Sequence, residues 1–146
     1  MKYRIWSIRY GGATSHVLDI NKTLRRDILS QISAVCTKYN AEHIIIGGDM
    51  NVDLSRFRSK NTQALNQYIV DEHLKFALSH PKAMVSHTYA SSSCDAYSII
   101  DHFIVTEFLF DRIDQYGECD DIENQSDHSP LMLSIEYDIP VHLPVL

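Results

Sequence analysis

At 146 residues the chain is one domain at most, long enough to bury roughly two thirds of the surface that its unfolded form exposes. Its 45% hydrophobic and 22% charged residues are ordinary for a globular protein and exclude a disordered one. A net charge of −6 argues against tight DNA binding by phosphate neutralisation alone, and suits a site that gathers carboxylates around a cation.

The first elements read as a strand from Tyr3 to Arg9, closed by a turn at Gly11-Gly12, and a helix capped by Asn21 and running to about Tyr39. Leu24, Ile28, Ile32, Val35 and Tyr39 recur at helical spacing and make its inward stripe. The β-branched run His43-Ile44-Ile45-Ile46 ends in Gly47-Gly48 and predicts a central strand buried on both faces. A second helix is expected over Thr62 to Leu78, with Leu65, Tyr68 or Ile69, Leu74 and Leu78 inward and Pro81 beyond its end. From Val85 the pattern changes to strands: Val85 to Ala90, Ser98 to Thr106, Ile113 to Glu118 and Leu131 to Tyr137. Helices alternating with strands, then strands in succession, predict a layered α/β sandwich with a mixed sheet.

Cys36, Cys94 and Cys119 form no C-x-x-C pair, which argues against a zinc ribbon or a disulfide framework and for reduced thiols in an intracellular protein. No opening run resembles a signal peptide, and no stretch approaches the ~18 apolar residues of a membrane span. The expectation is a nuclear or cytoplasmic protein.

Three segments place acid, amide and imidazole groups where strands end. Gly47-Gly48-Asp49-Met50-Asn51 leaves the isoleucine strand with a carboxylate and an amide two residues apart, able to face the same way. Alone it could be a plain strand-exit turn. Asp101 interrupts the apolar run from Ser98 to Val105, where a carboxylate needs a partner or a cation. Its bland reading is an aspartate satisfied by backbone or a hydroxyl. Ser126-Asp127-His128-Ser129-Pro130 sets a metal-seeking oxygen beside a titratable nitrogen at a strand mouth, or is an ordinary turn. The set says more than its members: Asp49, Asn51, Asp101, Asp127 and His128 sit at strand ends, where sites are built. Gathered carboxylates repel unless a proton or cation intervenes, and oxygen ligands without cysteine point to Mg²⁺ or Mn²⁺.

The order Gly48-Asp49-Met50-Asn51, Ser98-Ile99-Ile100-Asp101-His102 and Ser126-Asp127-His128 resembles the endonuclease/exonuclease/phosphatase superfamily. His87-Thr88-Tyr89 and the Ser-Asp-His-Ser-Pro-Leu ending look like the endonuclease of non-long-terminal-repeat retrotransposon polyproteins, which resembles apurinic/apyrimidinic endonucleases. The resemblance implies a divalent-metal-dependent phosphodiester hydrolase acting on DNA. Asp49 would orient or deprotonate the attacking water, and Asn51 would donate to the phosphate. Asp101 would hold the His128 imidazole against a non-bridging oxygen, and Asp127, with Asp49, would sit at or beside the metal.

The family's domain begins with a strand bearing an asparagine and a strand bearing the principal metal-binding glutamate, and this chain has neither segment. Residues 1–146 therefore read as the later part of such a domain, truncated at its N-terminal side, with sheet edges exposed. Tyr3 to Gly12 is similar to the family's strand before the helix that precedes Gly-Asp-x-Asn, where Arg9 or Tyr10 would stand for a phosphate-contacting tyrosine. The alternative is a catalytically inactive remnant acting as a binding module; a phosphomonoesterase or lipid phosphodiesterase of the same superfamily is a third reading. Arg56, Arg58 and Lys60 could meet a nucleic-acid backbone or form a solvated face. His73, His80 and His87 recur every seven residues, but His80 lies past the expected helix end, so they do not predict a shared metal face.

Overall fold

The computed structural model describes residues 2–6, 24–38, 40, 42–91, 93–119 and 126–136, and of residues 2–6 and 24–27 the backbone alone. In chain order the elements are β1 (Lys2–Trp6), α1 (Leu24–Lys38), β2 (Ile45–Asp49), α2 (Lys60–Asp71), β3 (Leu74–Phe76), β4 (Ala83–Met84), β5 (Tyr89–Ser91), β6 (Ala96–Ser98), β7 (Asp101–Thr106), α3 (Glu107–Phe110), β8 (Ile113–Glu118) and β9 (Leu131–Glu136). One sheet has the order β1-β9-β8-β4 and another the order β2-β7-β3, while β5 and β6 form a hairpin. The β4–β8 pair is parallel and the other pairs are antiparallel, so the expected mixed sheet is present.

Strand β7 explains the layering. Its side chains alternate between two faces. Phe103 and Val105 pack with Ile113, Tyr116, Leu131, Leu133 and Ile135 against the four-stranded sheet. Ile104 packs on the other face with Val52, Leu65, Ile69 and Leu74, where Leu29 of α1 also reaches. Helices thus cover one face of the β2-β7-β3 sheet and the second sheet covers the other: an α/β sandwich. No helix of the described residues is long and apolar enough to cross a membrane.

Several boundaries differ from expectation, each for a local reason. Helix α2 stops at Asp71 rather than Leu78, because His73 takes a φ of +53° that a helix cannot continue. Leu74 is instead paired with Thr106 in β3, and Leu78 lies in a short 3₁₀ turn. The strand expected from Val85 to Ala90 is present only as Tyr89–Ala90 in β5, after a break at 85–88 that follows β4, and the one expected from Ser98 to Thr106 is divided at 99–100 between β6 and β7. Both divisions mark places where the chain leaves one sheet for another. Strand β2 is only half-buried and, among the described residues, is hydrogen-bonded on one side, to β7. The α1 stripe is likewise half covered: Val35 is 54% exposed. The opening strand is described over Lys2–Trp6 and pairs with β9; the rest of its expected span, to Arg9, lies outside the described residues. Asn21, Tyr39 and Tyr137 fall outside the described residues.

Gly47 lies directly opposite Phe103 in the β2–β7 ladder. A Cβ there would stand 2.5 Å from Phe103 Cε1, and that ring is buried on all sides. Gly47→Ala is therefore expected to destabilise the fold by about 1–3 kcal/mol, as overpacked cores do. Thermal unfolding checks this; an unchanged midpoint would show that the ring can swing aside.

Candidate active site

Two strand ends meet at the rim of the β2–β7 ladder, whose register sets Asp49 directly opposite Asp101. The Met50 amide continues the ladder by donating to the Ile100 carbonyl at 2.9 Å. Beyond it the chain turns through Asn51 in the left-handed region, φ +50°, which asparagine tolerates better than most residues. Asp49 stabilises that turn: its Oδ1 accepts the Asn51 amide at 2.9 Å. The Asn51 side-chain Nδ2 stands 3.5 Å from Asp49 Oδ2. Carboxylate and amide thus act as one unit on an exposed turn.

His128 arrives from the segment before β9, held by backbone bonds to the β5 segment. The Ala90 amide donates to the Asp127 carbonyl and the Ser129 amide to the Thr88 carbonyl, each at 2.9 Å. Its ring packs edge to face with Tyr89 at 5.1 Å. Nδ1 lies 2.7 Å from Asp101 Oδ2, with side-chain exposures of 10% for the histidine and 16% for the aspartate. A carboxylate facing that nitrogen requires Nδ1 to carry the proton, which fixes the tautomer and the ring orientation. The other nitrogen, Nε2, stands 4.0 Å from Oδ1 of Asp127, whose side chain is 55% exposed.

The structure therefore brings together residues from all three segments. Asp49, Asp101 and His128 each offer a ligand atom within 4.8 Å of the others. Asp127 borders this group without joining it. Two carboxylates this close destabilise each other unless positive charge stands between them. With Nδ1 committed to Asp101, the carboxylate oxygens are the better donors, and oxygen donors fit a hard divalent cation. Beside them a polar cavity of about 260 Å³ opens between Asn51, Arg56, Asn61 and Ser98. Arg56 is mostly exposed there and Arg58 lies over the Phe57 ring. Arg9 and Tyr10, the sequence candidates for a phosphate contact, lie outside the described residues.

Two packed sheets with helices over the outer face of one, and acids and an imidazole at the strand ends, are the features of a domain of the endonuclease/exonuclease/phosphatase type. The family described as Endonuclease-reverse transcriptase matches residues 17–132, and the chain belongs to it. No curated protein matches by sequence. Among solved structures, the endonuclease domain of TRAS1, a telomere-specific non-LTR retrotransposon, is similar at 23% identity and a TM-score of 0.64, covering 82% of this chain and 54% of its own. A 3′ phosphatase from Neisseria, bound to product DNA hairpin, is similar at 13% identity and TM-score 0.62, covering 81% and 56%. A mannosyl-6-phosphatase from Bacteroides thetaiotaomicron is similar at 18% identity and TM-score 0.60, covering 81% and 48%. The chain thus spans about half the length of these structures, whose likeness establishes the fold.

Sequence reasoning missed the residues that support the site. His102, on the face of β7 away from Asp101, has its Nε2 2.6 Å from the Val52 carbonyl and so ties the exit of the Asn51 turn to the sheet. Burial pushes its imidazole below the usual range, and because a carbonyl can only accept, Nε2 carries a proton and donates it. Glu118, at the end of β8, accepts from the amides of Ser86 and His87 and from the Ser86 hydroxyl. Burial opposes its charge, yet these donors together hold the carboxyl below its ordinary value. The sequence signal for Glu118 was no more than an acid at the end of an expected strand. A depressed carboxyl stabilises the fold above its unfolded pKa, and that contribution disappears as the pH falls through the folded one. Protection of the Ser86 and His87 amides, corrected for intrinsic exchange, should fall as the pH drops below about 4.5. Glu118→Gln should lower protection at neutral pH and flatten that change; an unaltered pH dependence in the variant would contradict the assignment.

Proposed function

We propose that this domain hydrolyses phosphodiesters with the help of Mg²⁺ or Mn²⁺, and that the DNA backbone is its substrate. The observation that carries this reading is the pairing of Asp49 against Asp101 at one rim, with His128 fixed on Asp101. Asp49 receives a proton from, or aligns, the water that attacks phosphorus. Asn51 Nδ2 donates to a non-bridging oxygen. His128, as the imidazolium with its Nδ1–H held by Asp101, donates Nε2–H to another, and Asp127 stands on the open side of the same site. A divalent cation held by Asp49 and Asp127 would stabilise the negative charge that grows on the phosphate oxygens. Family membership and the DNA-processing neighbours support a nucleic-acid substrate over a sugar phosphate. Because the net charge is −6, backbone contact must be local; Arg56 lines the cavity beside the acids, and Arg58 on the same loop and Lys60 at the start of α2 are the further cations nearby in sequence.

A second reading is a module that binds phosphate backbone without cutting it. It is favoured by the size of the ligand cluster, which among the described residues holds three groups. Plasmid nicking by the folded chain with Mg²⁺ or Mn²⁺ separates the two. The hydrolase reading predicts nicking that falls about 100-fold or more in His128→Ala, the scale of losing an aimed donor, and equally in Asp127→Ala. Undiminished nicking in either variant would remove the mechanism, and no nicking from folded wild-type protein would favour the binding module.

A further inference from the structure

Thr88 belongs to none of the groups given a chemical role above, yet both members of the Asp101–His128 pair hang on it. The residue is fully buried. Its Oγ1 accepts the amide of Ile100 at 2.9 Å and that of Asp101 at 3.0 Å. Its own amide donates to the Ser98 carbonyl, and its carbonyl accepts the amide of Ser129, each at 2.9 Å. One residue therefore joins the end of β6, the start of β7 and the residue following His128. The chain at Ile100 and Asp101 is passing from the hairpin to the three-stranded sheet, where amides leave one ladder before joining the next. A hydroxyl oxygen with two acceptor sites meets that need in one place, and a methyl group cannot.

We propose that Thr88 is the positioning residue of this site, its hydroxyl setting the backbone of Asp101 so that the carboxylate holds His128. This role rests on the reading of the Asp101–His128 pair as part of a phosphoester site. The segment leading into Thr88 is itself clamped, since Glu118 takes the two amides that precede it. Thr88 is thus fixed to β8 on one side and fixes β7 and the His128 segment on the other. Without the hydroxyl, the two amides must seek other acceptors, and the start of β7 shifts. The 2.7 Å contact between Asp101 and His128 lengthens with it.

The test compares Thr88→Val, which keeps the shape and loses the acceptor, with Thr88→Ser, which keeps the acceptor. The readout is the His128 Nδ1 proton in the NMR spectrum of the folded chain, expected downfield and slow to exchange while Asp101 holds it. Thr88→Val should shift it upfield or lose it to exchange, and Thr88→Ser should retain it. If Thr88→Val does not fold, Thr88→Ala and Thr88→Ser replace it, since they differ by the hydroxyl alone. A folded Thr88→Val with the wild-type signal, or Thr88→Ala and Thr88→Ser behaving alike, would overturn the proposal. This readout needs no turnover, so failure of the hydrolase reading in the nicking assay leaves it intact. Where nicking is observed, Thr88→Val should lower kcat about 10- to 100-fold, as loss of an orienting partner does, with KM little changed and Thr88→Ser restoring the rate.

Discussion

The antiparallel register of β2 against β7 is the constraint on which the site depends. It sets Asp49 and Asp101 directly opposite each other at the strand ends. Like charges in that position are unfavourable in an ordinary sheet. The fold accepts them because the core holds the register from below: Ile46 faces Ile104, and Phe103 lies across from a glycine with room for its ring. A slip of one residue would turn Ile104 from the helix layer into the sheet interface and remove Asp101 from His128. The packing that stabilises the sandwich and the geometry that gathers the acids are therefore one feature.

Around that ladder the site is built from short connections. Asp49 braces its own turn through the Asn51 amide, and His102 pins the chain just beyond through the Val52 carbonyl. On the opposite side Glu118 fixes the approach to β5, Thr88 fixes the start of β7, and the Ser129 amide brings His128 to the same point. Loops held by side chains at both ends can present acids and an imidazole without the scatter of free loops.

Much of this was legible in the residues. The Gly-Asp-x-Asn exit, the aspartate inside the Ser98–Val105 run and the Asp127-His128 pair were each readable as strand-end motifs, and Asp49, Asp101 and His128 do converge. Strand β8 follows from the pattern at both ends, and helix α1 and strand β9 follow from it over the described residues. What periodicity could not show are the effects of tertiary hydrogen bonds. The pattern of α2 runs on through Leu74 and Leu78, but the left-handed His73 and the pull of β7 turn that stretch into a strand and a turn. The breaks near residues 86 and 99 depend on Glu118 and Thr88, partners distant in sequence whose role no local window carries. The half-buried state of β2 is equally invisible locally, because an apolar run looks the same at an edge as at a centre.

The proposed hydrolysis needs a divalent cation at these strand-end acids, with Asp49 among its ligands, and Mn²⁺ tests that most directly. Bound at a defined place, the paramagnetic ion broadens nearby NMR signals before distant ones. The account predicts that the amide signals of Asp49, Asp101 and His128 disappear first at substoichiometric Mn²⁺, and that excess Mg²⁺ restores them by competition. Weak broadening spread over exposed acids such as Glu107 and Asp111, with Asp49 and Asp101 unaffected, would contradict it.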